Sequence, residues 1–368
     1  MKRRQFIKKS ALIGATILLK GTIAKAAMDS YDKGNPKRKV VKFLSNPQLD
    51  TILPTWKGTP FNGKGEFVNH EFPKQRIPNG FWKWNMSKNP QKKEKGNDPF
   101  RLPVLKTDAF LKHTQDTVVW LGHASFFVRI NEINIVIDPV YDNIPLTKRW
   151  SEMPCDTSHF QNIDYILVSH SHYDHCDKST LKKLAKLNPK AQFLTGLKLD
   201  KLLKKWSPNH TVQGAGWYQK YKTDKPVDIV YLPSRHRSNR GIYDQDETLW
   251  GAFAIKSGEK TVYFGGDSGY GGHYKEIATL FPNVDVAMIG IGAYSPRWFM
   301  LPNHQDPEQA AVAFNETQAK VMIPMHYGTF EQTDEPRSEP PKLLQNEIAE
   351  GKVKNTVAFP KLGEDVFF

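Results

Sequence analysis

The sequence predicts an α/β fold of two sheets flanked by helices. Two observations carry this. Short apolar runs first follow one another directly and then alternate with helical stretches, which is how a sheet core with helical layers is written in sequence. The histidines and aspartates that stand out also lie just past the end of such a run, where open α/β sheets place their sites.

The elements follow in order. Residues 117–121, 126–130 and 133–137 read as three successive strands, turned by Gly122-His123 and Asn131-Glu132. Further strands are expected at 165–168, 193–195, 229–232, 253–255, 261–264, 286–289 and 321–323. Helices are expected at 179–187, 197–206, 274–280 and 307–315. The first has Leu181, Leu184 and Leu187 on one face and lysines on the other. Asp306-Pro307 supplies a cap and a first-turn proline for the last.

Before these elements the chain has a different character. Residues 1–26 combine a basic opening, an apolar stretch from Ala11 to Leu19 and an Ala24-Lys25-Ala26 site, as a cleavable export signal does. Arg3-Arg4 followed by Gln5-Phe6-Ile7-Lys8 resembles a twin-arginine leader, so the protein is expected to be periplasmic or otherwise exported. Residues 27–105 show no clean period. They read as an extended arm pinned to the body by Trp56, Phe61, Phe67, Phe72, Phe81, Trp82 and Trp84, or as a lipid-facing surface, since Trp and Lys together favour membrane interfaces. Residues 106–368 form the main domain.

The formal net charge is +14, from 52 Lys+Arg against 38 Asp+Glu. Seven of the basic residues and none of the acidic ones lie in residues 1–26, which leaves 45 against 38, or +7, for the rest. That mild excess suits an anionic substrate or a membrane surface and argues against a nucleic-acid partner. Two cysteines, Cys155 and Cys176, make no disulfide framework.

The chemistry concentrates at residues 168–177, VSHSHYDHCD. His170, His172, Asp174 and His175 fall within six positions, directly after an apolar run. Such nitrogen and oxygen donors suit zinc. Four in one loop exceed what one structural tetrahedral site uses alongside distant partners, and His236, Asp267 and His326 each follow an apolar run of their own. Seven ligands suit two metals with one bridging carboxylate and coordination positions left for water, an arrangement for hydrolysis.

With these residues in place, the chain resembles the metallo-β-lactamase superfamily. The stretches 117–130 (TVVWLGHASFFVRI), 264–270 (FGGDSGY), 291–306 (IGAYSPRWFMLPNHQD) and 325–330 (MHYGTF) narrow the resemblance to its N-acylphosphatidylethanolamine-hydrolysing phospholipase D branch. NPQLDTILPTW and RLPVLK in the arm are similar too, and the resemblance runs over roughly 43–341. It implies an αββα sandwich of two mixed sheets flanked by helices. It implies one zinc on His170, His172 and His236, a second on Asp174, His175 and His326, and Asp267 bridging them. It implies attack of a shared hydroxide on phosphorus, with a phosphatidic acid and an N-acylethanolamine as products. The implied partners are a phospholipid and the surface of the membrane that holds it. Asp174 is both a ligand and a candidate proton acceptor. His304 is a catalytic candidate and a candidate phosphate contact, at even weight with a structural role. Arg240 and Arg297 could each pair with a phosphodiester oxygen or simply be exposed. His123 has no ligand position left, and either orients a neighbouring carboxylate or meets substrate. A lactonase or nuclease on the same metals, and an exported metal-binding protein without turnover, are the alternatives. Phosphodiester and lactone panels separate the lactonase, strongly salt-dependent RNA binding marks the nuclease, and zinc uptake without turnover marks the third.

Overall fold

The computed structural model describes residues 40–69, 77, 79–145, 147–241 and 243–368. The expected export signal at 1–26 and the first part of the arm, 27–39, lie outside the described residues. Two large mixed sheets face each other. In spatial order the seven-stranded sheet is Asp365–Phe367, Thr117–Gly122, Ser125–Ile130, Ile133–Ile137, Tyr165–Val168, Gln192–Gly196 and Val212–Ala215. The eight-stranded sheet is Thr356–Val357, Val321–Met325, Val286–Gly290, Lys260–Phe264, Ala252–Ser257, Asp228–Leu232, Gln219–Lys220 and Asp50–Thr51. Each is antiparallel in one part and parallel in the other.

The side-chain period of a strand builds the layers. Val118, Trp120, Phe126 and Val128 enter the core shared with Ile229, Tyr231, Phe253 and Phe264 of the facing sheet. The rings of Phe126 and Phe264 meet across the gap at 6.1 Å. The alternate residues Val119, Leu121 and Phe127 face the other way, onto Leu181, Leu184, Leu199 and Leu203 of helices Lys178–Leu187 and Leu199–Trp206. Burying each such leucine contributes about 1.5–3 kcal/mol. Helices His273–Leu280 and Pro307–Thr317 cover the second sheet, and Asp306 caps the latter by accepting from Gln309 N–H at 2.9 Å. The αββα sandwich expected from the resemblance is therefore the architecture found.

The structure departs from the expected elements in three places. Lys198 takes a left-handed conformation (φ 69°), so the helix expected from residue 197 starts at Leu199. The arm is not uniformly extended. It forms the antiparallel pair Val40–Leu44 with Thr59–Asn62 and helices Gly80–Met86 and Lys92–Asn97, while Asp50–Thr51 joins the eight-stranded sheet beside Gln219–Lys220. The C-terminal region adds the helix Glu339–Ala349 and edge strands to both sheets. Cys155 and Cys176 are unpaired, and Cys176 packs in the core under the first helical layer. Among the described residues no helix is long and apolar enough to cross a membrane.

Candidate metal centre

Four strands of the two sheets lead to the expected ligands as they end. Tyr165–Val168 runs into Ser169 and His170, Asp228–Leu232 leads to His236, Lys260–Phe264 to Asp267 and Val321–Met325 to His326. The backbone is bent sharply at these exits. His326 has φ 67° and Asp138, just past Ile133–Ile137, has φ 42°. Such conformations are costly for residues other than glycine and concentrate at functional sites. Gly266 (φ 58°) turns the chain ahead of Asp267, where a Cβ would lie 2.6 Å from Gly251 O. Gly292 lets the neighbouring loop pass His326, whose carbonyl oxygen would be 2.1 Å from a Cβ there.

All seven expected ligands converge, in two groups. In the first, His172 Nδ1 stands 2.8 Å from His170 Nε2 and 3.2 Å from His236 Nε2. Asp267 Oδ2 lies 3.8 Å from His170 Nε2 and 3.5 Å from His236 Nε2. In the second, Asp174 Oδ2 is 3.6 Å from both His175 Nε2 and His326 Nε2. Asp267 offers Oδ2 to His175 at 3.2 Å and Oδ1 to His326 at 3.0 Å. Donors on one tetrahedral ion at ~2.0–2.1 Å stand ~3.3 Å apart, so both groups are near the spacing an ion needs. His175 Nε2 and His326 Nε2 are buried without a hydrogen-bond partner. Orphaned imidazole nitrogens aimed at two carboxylates are what a cation would satisfy.

In four of the five histidines a partner on the remaining ring nitrogen fixes which atom is free to ligate. His175 Nδ1 is 2.7 Å from Asp138 Oδ2, and His170 Nδ1 is 2.9 Å from Ser169 Oγ. Ser169 in turn donates from N–H and Oγ–H to Asp138 at 2.6 and 2.5 Å. His236 Nδ1 is 2.9 Å from the carbonyl of Asn303, and His172 Nε2 is 3.1 Å from Asn239 Oδ1. His170, His175 and His236 thus present Nε2 and His172 presents Nδ1, while His326 turns Nε2 toward Asp174 and Asp267 with no partner on its Nδ1. Asp174 is steadied by His123 Nε2 and by Gln332 Nε2, each 2.9 Å from its Oδ2. His123 thus contacts the neighbouring carboxylate, and its ring nitrogen lies within the same His/Asp group as His175 and His326.

The electrostatics agree with a cation site. Burial pushes His170 and His236 well below the usual histidine range and His172 down to about 4, so all three are neutral donors. Burial would do the same to His175 and His326, but the carboxylates of Asp267 and Asp174 outweigh it. His175 is raised well above its usual value and His326 to about 9. Burial alone would raise Asp174 and Asp267, yet the facing imidazoles hold both carboxyls well below theirs.

His304 lies at the rim, with Nδ1 3.9 Å from Asp267 Oδ2 and its ring 5.0 Å from that of His236. Burial pushes it down to about 3, so it is neutral. The two arginines considered for substrate are engaged within the protein. Arg240 Nη1 donates to the carbonyl oxygens of Ser171 (2.9 Å) and Cys176 (2.5 Å), and its guanidinium lies 4.1 Å from the Tyr173 ring. It braces the 170–176 loop from outside. Arg297 pairs with the buried carboxylate of Asp306. The residues missed in sequence are Asp138, Ser169, Asn239 and Gln332. Asp138 and Ser169 had a signal, since each directly follows an apolar strand.

Residues 133–327 match the family model of the β-lactamase superfamily domain. The chain belongs to the metallo-β-lactamase superfamily. It is 32% identical over 249 residues to N-acyl-phosphatidylethanolamine-hydrolyzing phospholipase D 1 of Caenorhabditis elegans, a match covering 62% of this chain and 69% of that protein. It is 29% identical over 225 residues to a metal-dependent hydrolase of Lawsonia intracellularis, covering 60% and 87%. Among solved structures it resembles Igni18, a metallo hydrolase from Ignicoccus hospitalis, with a TM-score of 0.53 and 24% identity over 69% of this chain and 99% of the other. That likeness concerns the fold. The superfamily assignment and the convergent His/Asp groups make this protein a metal-dependent hydrolase of the metallo-β-lactamase fold.

Proposed function

We propose that the protein is a dizinc phosphodiesterase of phospholipase D type, which cleaves N-acylphosphatidylethanolamine-like phospholipids to a phosphatidic acid and an N-acylethanolamine. The observation that carries this reading is Asp267, whose carboxylate reaches both imidazole groups: Oδ2 lies 3.8 and 3.5 Å from His170 and His236 and 3.2 Å from His175, and Oδ1 lies 3.0 Å from His326. His170, His172 and His236 would hold one zinc, and Asp174, His175 and His326 the other. Two zinc ions against two carboxylates leave a positive excess matched to a phosphodiester anion and supply an acidified water at neutral pH. The name of the Caenorhabditis elegans relative supports the choice of lipid.

The chain's own residues then have distinct tasks. His123 and Gln332 each hold Asp174 Oδ2 at 2.9 Å and so restrain its carboxylate. Asp138 keeps the proton of His175 on Nδ1 and leaves Nε2 for the metal. His304 is a neutral ring with one N–H to give, placed to donate to a phosphoryl oxygen. We place the enzyme outside the cytoplasm, on the twin-arginine-like opening of the chain. The test is mass spectrometry of lipids after incubation of the zinc-loaded enzyme with N-acylphosphatidylethanolamine vesicles. Equimolar phosphatidic acid and N-acylethanolamine are expected. Hydrolysis of a lactone panel with no phosphodiester product would replace this reading with a carbonyl hydrolase.

A further inference from the structure

We propose that helices Gly80–Met86 and Arg297–Met300 form a docking face that rests on a phospholipid bilayer and brings the metal centre to the headgroup layer. The proposal rests on the phospholipid reading above and assigns the surface that serves it. Phe81, Trp82, Met86 and Trp298 are 44%, 55%, 78% and 40% exposed. They are not scattered. Ring contacts run from Phe81 to Trp82 (5.7 Å), from Phe81 to Trp84 (6.3 Å), from Trp84 to Phe299 (5.7 Å) and from Phe299 to Trp298 (5.5 Å). Trp82 and Met86 are four residues apart and share a helix face. A contiguous exposed apolar patch on a water-soluble surface marks an interaction site.

The inner side of the patch is anchored. A Cβ on Gly80 would come within 2.8 Å of Phe299, so the two helices are in close contact. Trp84 Nε1–H donates to Asp334 Oδ2 at 3.0 Å. The outer side is left to solvent. Residues 79–93 carry Lys83, Lys88, Lys92 and Lys93 and no acidic residue, and Lys83 lies 4.9 Å from the Trp298 ring. Indoles among lysines suit the boundary between acyl chains and anionic headgroups. A two-fold dimer through the same face would bring two sets of these lysines into one interface, whereas an anionic leaflet neutralises them.

The face adjoins the site on two sides. Arg297–Met300 leads directly into the turn where His304 N–H donates to Met300 O at 3.0 Å, and the carbonyl of Asn303 in that turn holds His236. Asp334, held by Trp84 and by Asn89 Nδ2 at its carbonyl (2.9 Å), stands two residues from Gln332, which donates to Asp174. A bilayer meeting this face lies beside the rim that carries His304.

The experiment compares the full-length zinc enzyme with W82A/M86A and the conservative W82F/M86L. Cosedimentation uses phosphatidylcholine vesicles with and without phosphatidylglycerol. Turnover is read on a diester lipid in those vesicles and on a short-chain diester below its critical micelle concentration, and mass by sedimentation velocity. W82A/M86A is expected to lose roughly tenfold or more in vesicle binding and to lose vesicle turnover in step. It keeps its rate on the monomeric diester and its mass, and W82F/M86L behaves as wild type. Added phosphatidylglycerol is expected to strengthen binding in a salt-sensitive way. Unchanged vesicle binding by W82A/M86A, absence of binding by the wild type, or a dimer that dissociates in the variant would overturn the docking face. Vesicle binding without hydrolysis of either diester would leave the face standing and remove the phosphodiesterase reading instead.

Discussion

Replacing Asp138 with Asn tests whether a residue that touches no metal controls the centre. Asp138 Oδ1 accepts from Ser169 N–H at 2.6 Å, and Oδ2 accepts from Ser169 Oγ–H at 2.5 Å and faces His175 Nδ1 at 2.7 Å. Asparagine keeps the shape but has only one acceptor oxygen. If its oxygen faces Ser169 N–H, its NH₂ opposes the Nδ1–H of His175. If it flips, the NH₂ opposes the amide of Ser169. One donor–donor contact is unavoidable in a fully buried place, at about 1–3 kcal/mol. The simplest relief moves the His175 proton to Nε2, which removes the lone pair meant for the metal. Loss of such an orienting partner costs roughly 10–100-fold in metal affinity. The affinities are read by zinc titration against a chromophoric chelator. One zinc equivalent, that of Asp174, His175 and His326, is expected to weaken by that factor. The other is expected to shift less, since His170 feels Asp138 only through Ser169 Oγ. Two equivalents bound with wild-type affinity would refute the reasoning.

Other perturbations give sharp expectations. Asp267→Asn replaces one of the two oxygens by an NH₂ and removes the negative charge that faces both groups, and turnover should fall by more than about a hundredfold with the circular dichroism spectrum unchanged. Gln332→Leu leaves Asp174 with one donor fewer, and a hydrogen bond to a charged group is worth about 1.5–3 kcal/mol, so zinc competition should show about a tenfold or larger loss at the second site. The metal-free protein should lose stability as pH rises from 6.5 to about 9, because folded His175 and His326 keep protons that the unfolded chain has released. Scanning calorimetry of chelator-treated protein reads this, and zinc should flatten the profile by replacing the protons. Leu184→Ala, buried between sheet and helix, should cost about 2–5 kcal/mol in denaturant melts.

The seven residues that the structure brings together were legible because His170, His236, Asp267 and His326 each follow an apolar strand and His172, Asp174 and His175 share the loop of the first, and strand ends are a local signal. The atoms that set the tautomers were not. Asp138 and His175 are 37 residues apart, and His172 and Asn239 are 67 apart. Pairing at that range is decided by how two strands line up, which no local period records. The arginines illustrate the converse. Arg240 and Arg297 carry the group that binds phosphate, but the same fork serves loop carbonyls and a buried carboxylate equally well, and only coordinates distinguish these uses. The arm hid its structure for a related reason. Asp50–Thr51 is a strand only because Gln219–Lys220 lies beside it, and Gly80–Met86 shows no clean amphipathic period because its aromatic side stays exposed. The helix Glu339–Ala349 could have been found, since Pro340-Pro341 stands in its first turn, where proline is well tolerated.

The most direct test of the two-metal centre is a crystal structure with anomalous diffraction recorded on both sides of the zinc edge. Two zinc peaks ~3.5–4 Å apart are expected, one against His170, His172 and His236, the other against Asp174, His175 and His326, with Asp267 touching both. A single peak, or a pair that Asp267 does not bridge, would contradict the account.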